Sequence, residues 1–406
     1  MKISVDVTPD QIAPAMAWLD GKVGAALDKR VKSLEQQQSR NPLFGPYFRD
    51  TFPYELALVK ARRHQRQTGL LPSGEEYGIA YGFAAALQRI HAGLGEKGRA
   101  RLESTLRGAM KDAYGLRPLA YEVQMATHAA RRGYDVECVD LDGAGQFDLL
   151  LTRDADEIEL ECKTTSPDKG KKVHQSDLVR LANLLLPTTA ALANYGGCHA
   201  IRVIVPARLA TSDPGLAEIA SLVRTAVDRR GAAGDKDGRA EYSVIQLPHW
   251  PERDMSAREE SAFLNEIFGT KNRPAFWHLR ERHGFVAVQV DSDQPDASVE
   301  ALSEDAKKAA DQCTGKRPAV VAMQLMEITP DELKFLLDNP SPAHDVAHAI
   351  FKDGRRAHVD SLALSLPARS RDVDSGKELW GTVAVLHNPS PAYPSRAARS
   401  LFSANG

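Results

Sequence analysis

Between residues 10 and 115, apolar side chains recur every three or four positions. Ile12, Met16, Leu19, Val23, Ala26 and Leu27 make one stripe, and Ala84, Leu87 and Ile90 another. That spacing places each set on one face of an α-helix. The pattern therefore predicts a helical region over 1–115, with loops at Asn41–Pro46 and Pro72–Gly74. Residues 118–132 continue the helical pattern until Gly133, a helix stop. The pattern then turns strand-like at Tyr134–Val139, Phe147–Thr152 and Glu157–Thr164. Residues 174–193 read as a helix, and His199–Val205 as an apolar strand ended by Pro206. Beyond residue 211, strands are expected at Tyr242–Leu247, Phe285–Val290, Ala319–Met326, Val359–Leu364 and Thr382–Leu386. Helices are expected at Leu216–Asp228, Ala257–Ile267, Val299–Gln312 and Pro330–Leu337, and Gly231–Gly238 reads as an exposed loop. Alternation of this kind predicts an α/β protein.

The third strand carries the most informative pattern. Its side chains alternate across the sheet, so Ile158, Leu160 and Cys162 share an apolar face. Glu157, Glu159, Glu161 and Lys163 share the other. On the strand before it, Asp148 also lies opposite the apolar set. The connection Arg153–Asp156 is short, so the two strands should pair antiparallel. Asp148 then comes beside Glu161 or Lys163. Carboxylates that close repel each other unless a cation lies between them. Hard oxygen ligands of this kind suit Mg²⁺ or Mn²⁺. The plain alternative is a solvated strand face.

Asp148, followed after a dozen residues by Glu161-Cys162-Lys163, resembles the signature of the PD-(D/E)XK nuclease superfamily. Glu122, in AYEVQMATHAARRGYDV, stands where many members carry an acid on the first core helix. The resemblance spans about residues 116–210. It implies a restriction-endonuclease-like α-β-β-β-α-β core over those residues; the periodicity on either side reads as a helical region over 1–115 and a second α/β domain over 211–406. It further implies that Asp148, Glu161, Glu122 and the Cys162 backbone carbonyl hold Mg²⁺, for which Mn²⁺ can substitute. Lys163 would position or activate the attacking water. The implied reaction is hydrolysis of a nucleic-acid backbone, DNA rather than RNA, in a setting such as bacterial restriction, anti-phage defence or repair. Dimerisation, by which single-site members cut both strands, is compatible with it. The Gln-x-x-x-Tyr variant of the second core helix is absent, because Gln175 is followed by Val179. A catalytically inactive nucleic-acid-binding relative is the other outcome.

Composition refines this only slightly. The chain has 406 residues, 43% of them hydrophobic, enough for two or three domains. Net charge is −2, yet residues 1–120 hold 18 Lys and Arg against 12 Asp and Glu. A basic front half suits a polyanion. The run Lys60, Arg62, Arg63, His64, Arg66 suggests phosphate contacts by Arg62 and Arg63, against the plain reading of a solvated helix face. Lys171, Lys172 and Arg180 are candidates beside the core. Tyr47, Phe48, Phe52 and Tyr54 could stack on bases but fit core packing better. Four separated cysteines and no CxxC exclude a zinc ribbon or disulfide scaffold. No apolar run reaches membrane-spanning length, and MKISVDVTPDQ lacks the apolar stretch of a secretory signal. A cytoplasmic protein without a membrane partner is expected. His344 and His348, four apart, could share a zinc ion on a helix, but Asp345 stands where the metalloprotease pattern needs Glu. An ordinary helix surface is the favoured reading.

Overall fold

The computed structural model describes residues 8–403 apart from 41–44, 167, 246–262, 265, 269–274, 282–283, 327–329, 339–340, 368–369, 372–377 and 380–382. In chain order, the first elements are the helices α1 (Pro9–Arg40), α2 (Gly45–Thr51), α3 (Pro53–Thr68), α4 (Glu75–Gly93), α5 (Glu96–Ala109) and α6 (Arg117–Arg131). They are followed by β1 (Asp135–Cys138), a one-turn helix α7 (Val139–Asp142), β2 (Leu149–Arg153), β3 (Asp156–Thr165), α8 (Gln175–Tyr195), β4 (Gly197–Val205) and α9 (Asp213–Arg229). Then come β5 (Ala232–Asp235), β6 (Gly238–Ile245), β7 (Ala275–Glu281), β8 (Gly284–Ser292), α10 (Ser298–Gln312) and β9 (Ala319–Leu325). The chain closes with α11 (Pro330–Leu337), α12 (Pro342–Phe351), β10 (Val359–Ser365), β11 (Ser370–Arg371), β12 (Glu378–Leu379), β13 (Val383–His387) and α13 (Arg396–Ser400).

The N-terminal stripe does what its spacing dictates. Met16, Leu19, Val23, Leu27 and Val31 of α1 are buried against α3 and α4, and Leu119, Val123 and Ala126 of α6 join the same core. Phe48, Phe52 and Tyr54 are buried as well, which makes them packing residues. Gly133 takes φ +82 after α6, the left-handed conformation that lets the chain turn into β1 without a Cβ clash.

Strands β1, β2 and β3 form an antiparallel meander, with Leu149 opposite Leu160 and Leu151 opposite Ile158. The expected pairing of the second and third strands is therefore present. The fourth expected strand is not where the sequence order put it. Beside β3 lies β9, parallel, with Glu161 opposite Val321 and Lys163 opposite Met323. The full order of this sheet is β1-β2-β3-β9-β10-β13. Strand β4 instead belongs to a second mixed sheet, β5-β6-β4-β8-β7. The expected domain break near residue 210 falls within that sheet, because β4 and β6 pair across it. Residues 231–238 are not a loop but the β5–β6 hairpin. Most of the helix expected at Ala257–Ile267 lies outside the described residues.

The chain thus leaves the first sheet after β3, builds α8 and the second sheet, and returns through α10 to β9. Departing and returning segments are tied together. Ala297 N–H donates to the Gly170 carbonyl at 2.8 Å, and Lys172 N–H to Asp296 Oδ1 at 2.6 Å. Gly170 has φ +78, and a Cβ there would overlap the Ala297 carbonyl. Only glycine fits this crossing. The first sheet is covered on both faces. Leu160, Cys162, Val320 and Ala322 meet the helical N-terminal core, while Val321, Met323 and Leu325 meet α10 and α12. Helix α13 returns to the same core, where Tyr134 Oη donates to the Ala397 carbonyl at 2.8 Å.

Candidate active site at the β2–β3 hairpin

Asp148 immediately precedes β2, opposite Glu161 of β3. Their side chains reach across the hairpin to the partner strand's backbone. Cys162 N–H donates to Asp148 Oδ2 at 2.6 Å, and Asp148 N–H donates to Glu161 Oε2 at 3.2 Å. Lys163 Nζ donates to Glu161 Oε1 at 3.3 Å and to Gln312 Oε1, at the end of α10, at 2.7 Å. The two acids and the amine expected from the sequence are therefore together. On its other side Asp148 lines a cavity of about 20 Å³ with Glu122 of α6 and Asp140 of α7, walled by Leu87, Leu119 and Leu149. A volume of that size holds about one water-sized sphere.

The acids resist ionisation where they stand. Burial, reinforced by Asp148, pushes the Glu161 carboxyl up to about 8. Burial also raises Asp148 to about 6, against the opposing pull of the Cys162 N–H. Glu122 is raised well above the usual carboxyl range, first by burial and then by repulsion from Asp148, Asp140 and Glu161. Asp140 is raised by burial too. Ionising all four acids beside one ammonium would leave an excess of negative charge that a divalent cation would offset. The donor set fits a hard cation. Among the described residues no three His, Cys, Asp or Glu side chains already form a closed metal cage. A cation would thus draw Asp148 and Glu161 from the backbone N–H groups they now accept from. Cys162 turns its buried thiol to the apolar face, and burial raises it far above its ordinary value, so it is a packed neutral group.

The solvated-face alternative for β3 does not hold. Glu159 is 0% and Glu161 1% exposed; of the three glutamates only Glu157 reaches solvent, and Lys163 beside them is half-buried. Glu159 is occupied elsewhere, accepting from Thr314 N–H at 2.6 Å and pairing with Arg317 Nε at 3.1 Å. Of the expected phosphate contacts, Arg62 is engaged within the fold. It is buried and bonded to Asp20 and Asp28 of α1, a structural cation at the α1–α3 contact. Arg63 pairs with Glu35 at 2.5 Å on the surface. Arg180 donates to Asp177 at 3.1 Å, to Asp213, and to the Thr211 carbonyl at 2.6 Å. Lys171 is exposed and Lys172 half-buried in the loop that follows β3. His344 and His348 are exposed on α12, while His358 is buried against the Ala310 carbonyl.

Sequence reasoning missed Asp140 and Gln312. Asp140 had a local signal, an acid within an apolar turn directly after β1. Gln312 had none, because 149 residues separate it from Lys163. Among the described residues no helix is long and apolar enough to cross a membrane. No protein-family model matches the chain, and no curated protein matches it.

Proposed function

We propose that this protein is a metal-dependent nuclease that hydrolyses phosphodiester bonds of nucleic acid, with DNA as the expected substrate. The observation that carries the reading is the hairpin itself: Asp148 and Glu161 meet across β2 and β3, with the Lys163 ammonium on Glu161. The order of elements supports the resemblance to the restriction-endonuclease-like fold. With residues 166–297 and the one-turn helix α7 set aside, α6, β1, β2, β3, α10 and β9 follow the α-β-β-β-α-β sequence. The interrupting segment then replaces the separate C-terminal domain expected from the chain order.

Asp148, Glu161 and the Cys162 carbonyl would hold Mg²⁺, with Glu122 alongside. A bound Mg²⁺ would lower the pKa of a coordinated water and offset charge on the scissile phosphate. Lys163 orients the attacking water and faces the phosphate with positive charge. Burial of Glu122 and Asp148 beside Leu119 and Leu149 keeps bulk water from this side of the site.

The test is cleavage of plasmid, linear and single-stranded DNA and of RNA by the wild type, Glu161→Ala and Lys163→Ala, each with Mg²⁺, Mn²⁺ or EDTA. Metal-dependent cutting that both variants lose supports the enzyme. Binding without cutting by the wild type replaces it with a nuclease-like scaffold protein.

A further inference from the structure

Lys163 has two acceptors of different character. Glu161 is an acid that the proposed reaction commits to a cation. Gln312 is neutral, and its Oε1 is the nearer of the two, at 2.7 Å against 3.3 Å. The Gln312 amide also donates through Nε2 to the Gln146 carbonyl at 3.3 Å, in the loop two residues before Asp148. The two contacts agree on the orientation of the carboxamide. An ammonium only donates, so oxygen must face Lys163; a backbone carbonyl only accepts, so nitrogen must face Gln146. Gln312 therefore bridges the strand that carries Glu161 and Lys163 to the loop that carries Asp148.

The helix that presents Gln312 is itself fixed to the β3 segment. Lys169, in the loop after β3, is bonded to Asp305 of α10. Asp305 and Gln312 are seven residues apart, two turns along one side of the helix. α10 is held at Gln312 by Lys163 of the candidate catalytic strand and at Asp305 by Lys169 in the loop that follows it.

We infer that Gln312 is the positioning residue for Lys163, a neutral anchor that keeps the ammonium in place when Glu161 turns to a divalent cation. This rests on the nuclease reading. A neutral acceptor suits the task. A second carboxylate would compete for the cation, and an apolar side chain would leave the ammonium free to swing into solvent, since Lys163 keeps 34% of its side chain exposed. Gln312 touches neither metal nor substrate in this role; it acts through Lys163.

The test compares the wild type, Gln312→Met and Gln312→Glu in two ways. Crystal structures, metal-free and soaked with Mn²⁺, should show the Lys163 ammonium displaced in Gln312→Met, most of all with the cation present, and restored in Gln312→Glu, which keeps the acceptor oxygen. Single-turnover cleavage with Mg²⁺ should fall on the order of 10- to 100-fold in Gln312→Met, the effect of misplacing a reacting group by ~1 Å. The Kd for nucleic acid should stay within about twofold, and Gln312→Glu, which keeps an acceptor for Lys163 but adds a carboxylate that competes for the cation, should cut faster than Gln312→Met and more slowly than the wild type. An unmoved Lys163 in Gln312→Met overturns the inference. So does wild-type cutting by that variant, which leaves the nuclease reading intact. A wild type that cuts nothing removes the nuclease reading, and the crystal comparison still decides whether Gln312 holds Lys163.

Discussion

Replacing Glu161 with Gln should make the metal-free protein more stable, with a gain that grows with pH. The Glu161 carboxyl stands at about 8 in the fold against 4.5 in an unfolded chain, because it is buried and faces Asp148. A carboxyl harder to ionise in the native state makes that state bind the extra proton. Stability then falls as pH rises from about 4.5 to about 8. Each unit corresponds to about 1.36 kcal/mol, so holding the proton at pH 7 costs the fold ~3 kcal/mol. A Gln side chain imitates the protonated acid and removes that cost. It misplaces one donor toward Lys163 or the Asp148 N–H, a loss of ~1 kcal/mol. The net expectation is a gain of ~2 kcal/mol at neutral pH, falling to zero at about pH 5 and to a loss of ~1 kcal/mol at about pH 4.5. Urea unfolding followed by circular dichroism, in EDTA, across pH 4.5 to 8, measures it. Mg²⁺ at about 100 times its Kd should then stabilise the wild type by ~2.7 kcal/mol and the variant by far less. Equal pH slopes for the two proteins, or a variant less stable than the wild type at pH 8, would refute the reasoning.

Other residues give separable outcomes. Gly170→Ala places a Cβ against the Ala297 carbonyl at φ +78 and should cost ~1–3 kcal/mol in urea unfolding; wild-type stability would show that the crossing is not tight. Arg62→Met removes the Arg62 cation from Asp28 and leaves Asp20 with Arg66 at 4.0 Å. Because both acids are partly exposed, the loss should be ~1–3 kcal/mol. The salt dependence of nucleic-acid binding should match the wild type, and a shallower slope would restore Arg62 as a phosphate contact. Glu159→Gln, on the same face of β3 as Glu161, should cost ~1–2 kcal/mol of stability through Thr314 and Arg317 and leave cleavage unchanged. Loss of cutting there would put Glu159 in the site.

The parts of this protein that could be read from the sequence are those whose cause is local. The β2–β3 hairpin follows from period-two alternation and a connection too short for anything but antiparallel pairing. That alone fixes Leu149 against Leu160 and brings Asp148 beside Glu161. Arg62 was locally legible too. It lies three and four residues after Val59 and Leu58, both buried, so it falls on the inward stripe of α3 rather than on the basic face. The alternation of β3 marked Glu159 as polar but could not reveal that Thr314 and Arg317, more than 150 residues away, would cover it.

The misplaced fourth strand has a different cause. His199–Val205 is apolar, as any buried parallel strand is, and that composition does not say which sheet buries it. Consecutive strands usually neighbour each other, so chain order assigned it to β3. The competing strand, Ala319–Leu325, is equally apolar and wins the place beside β3 after an excursion that closes on itself at Gly170 and Ala297. Because the departing and returning segments are tied there, the excursion lets α10 dock as if it followed β3 directly. Lys163 can then take its nearest partner from a helix 149 residues further on. A site assembled this way joins a local half, set by the hairpin and readable from spacing, to a distant half that exists only because the chain comes back. It is in the distant half that sequence reasoning had nothing to work with.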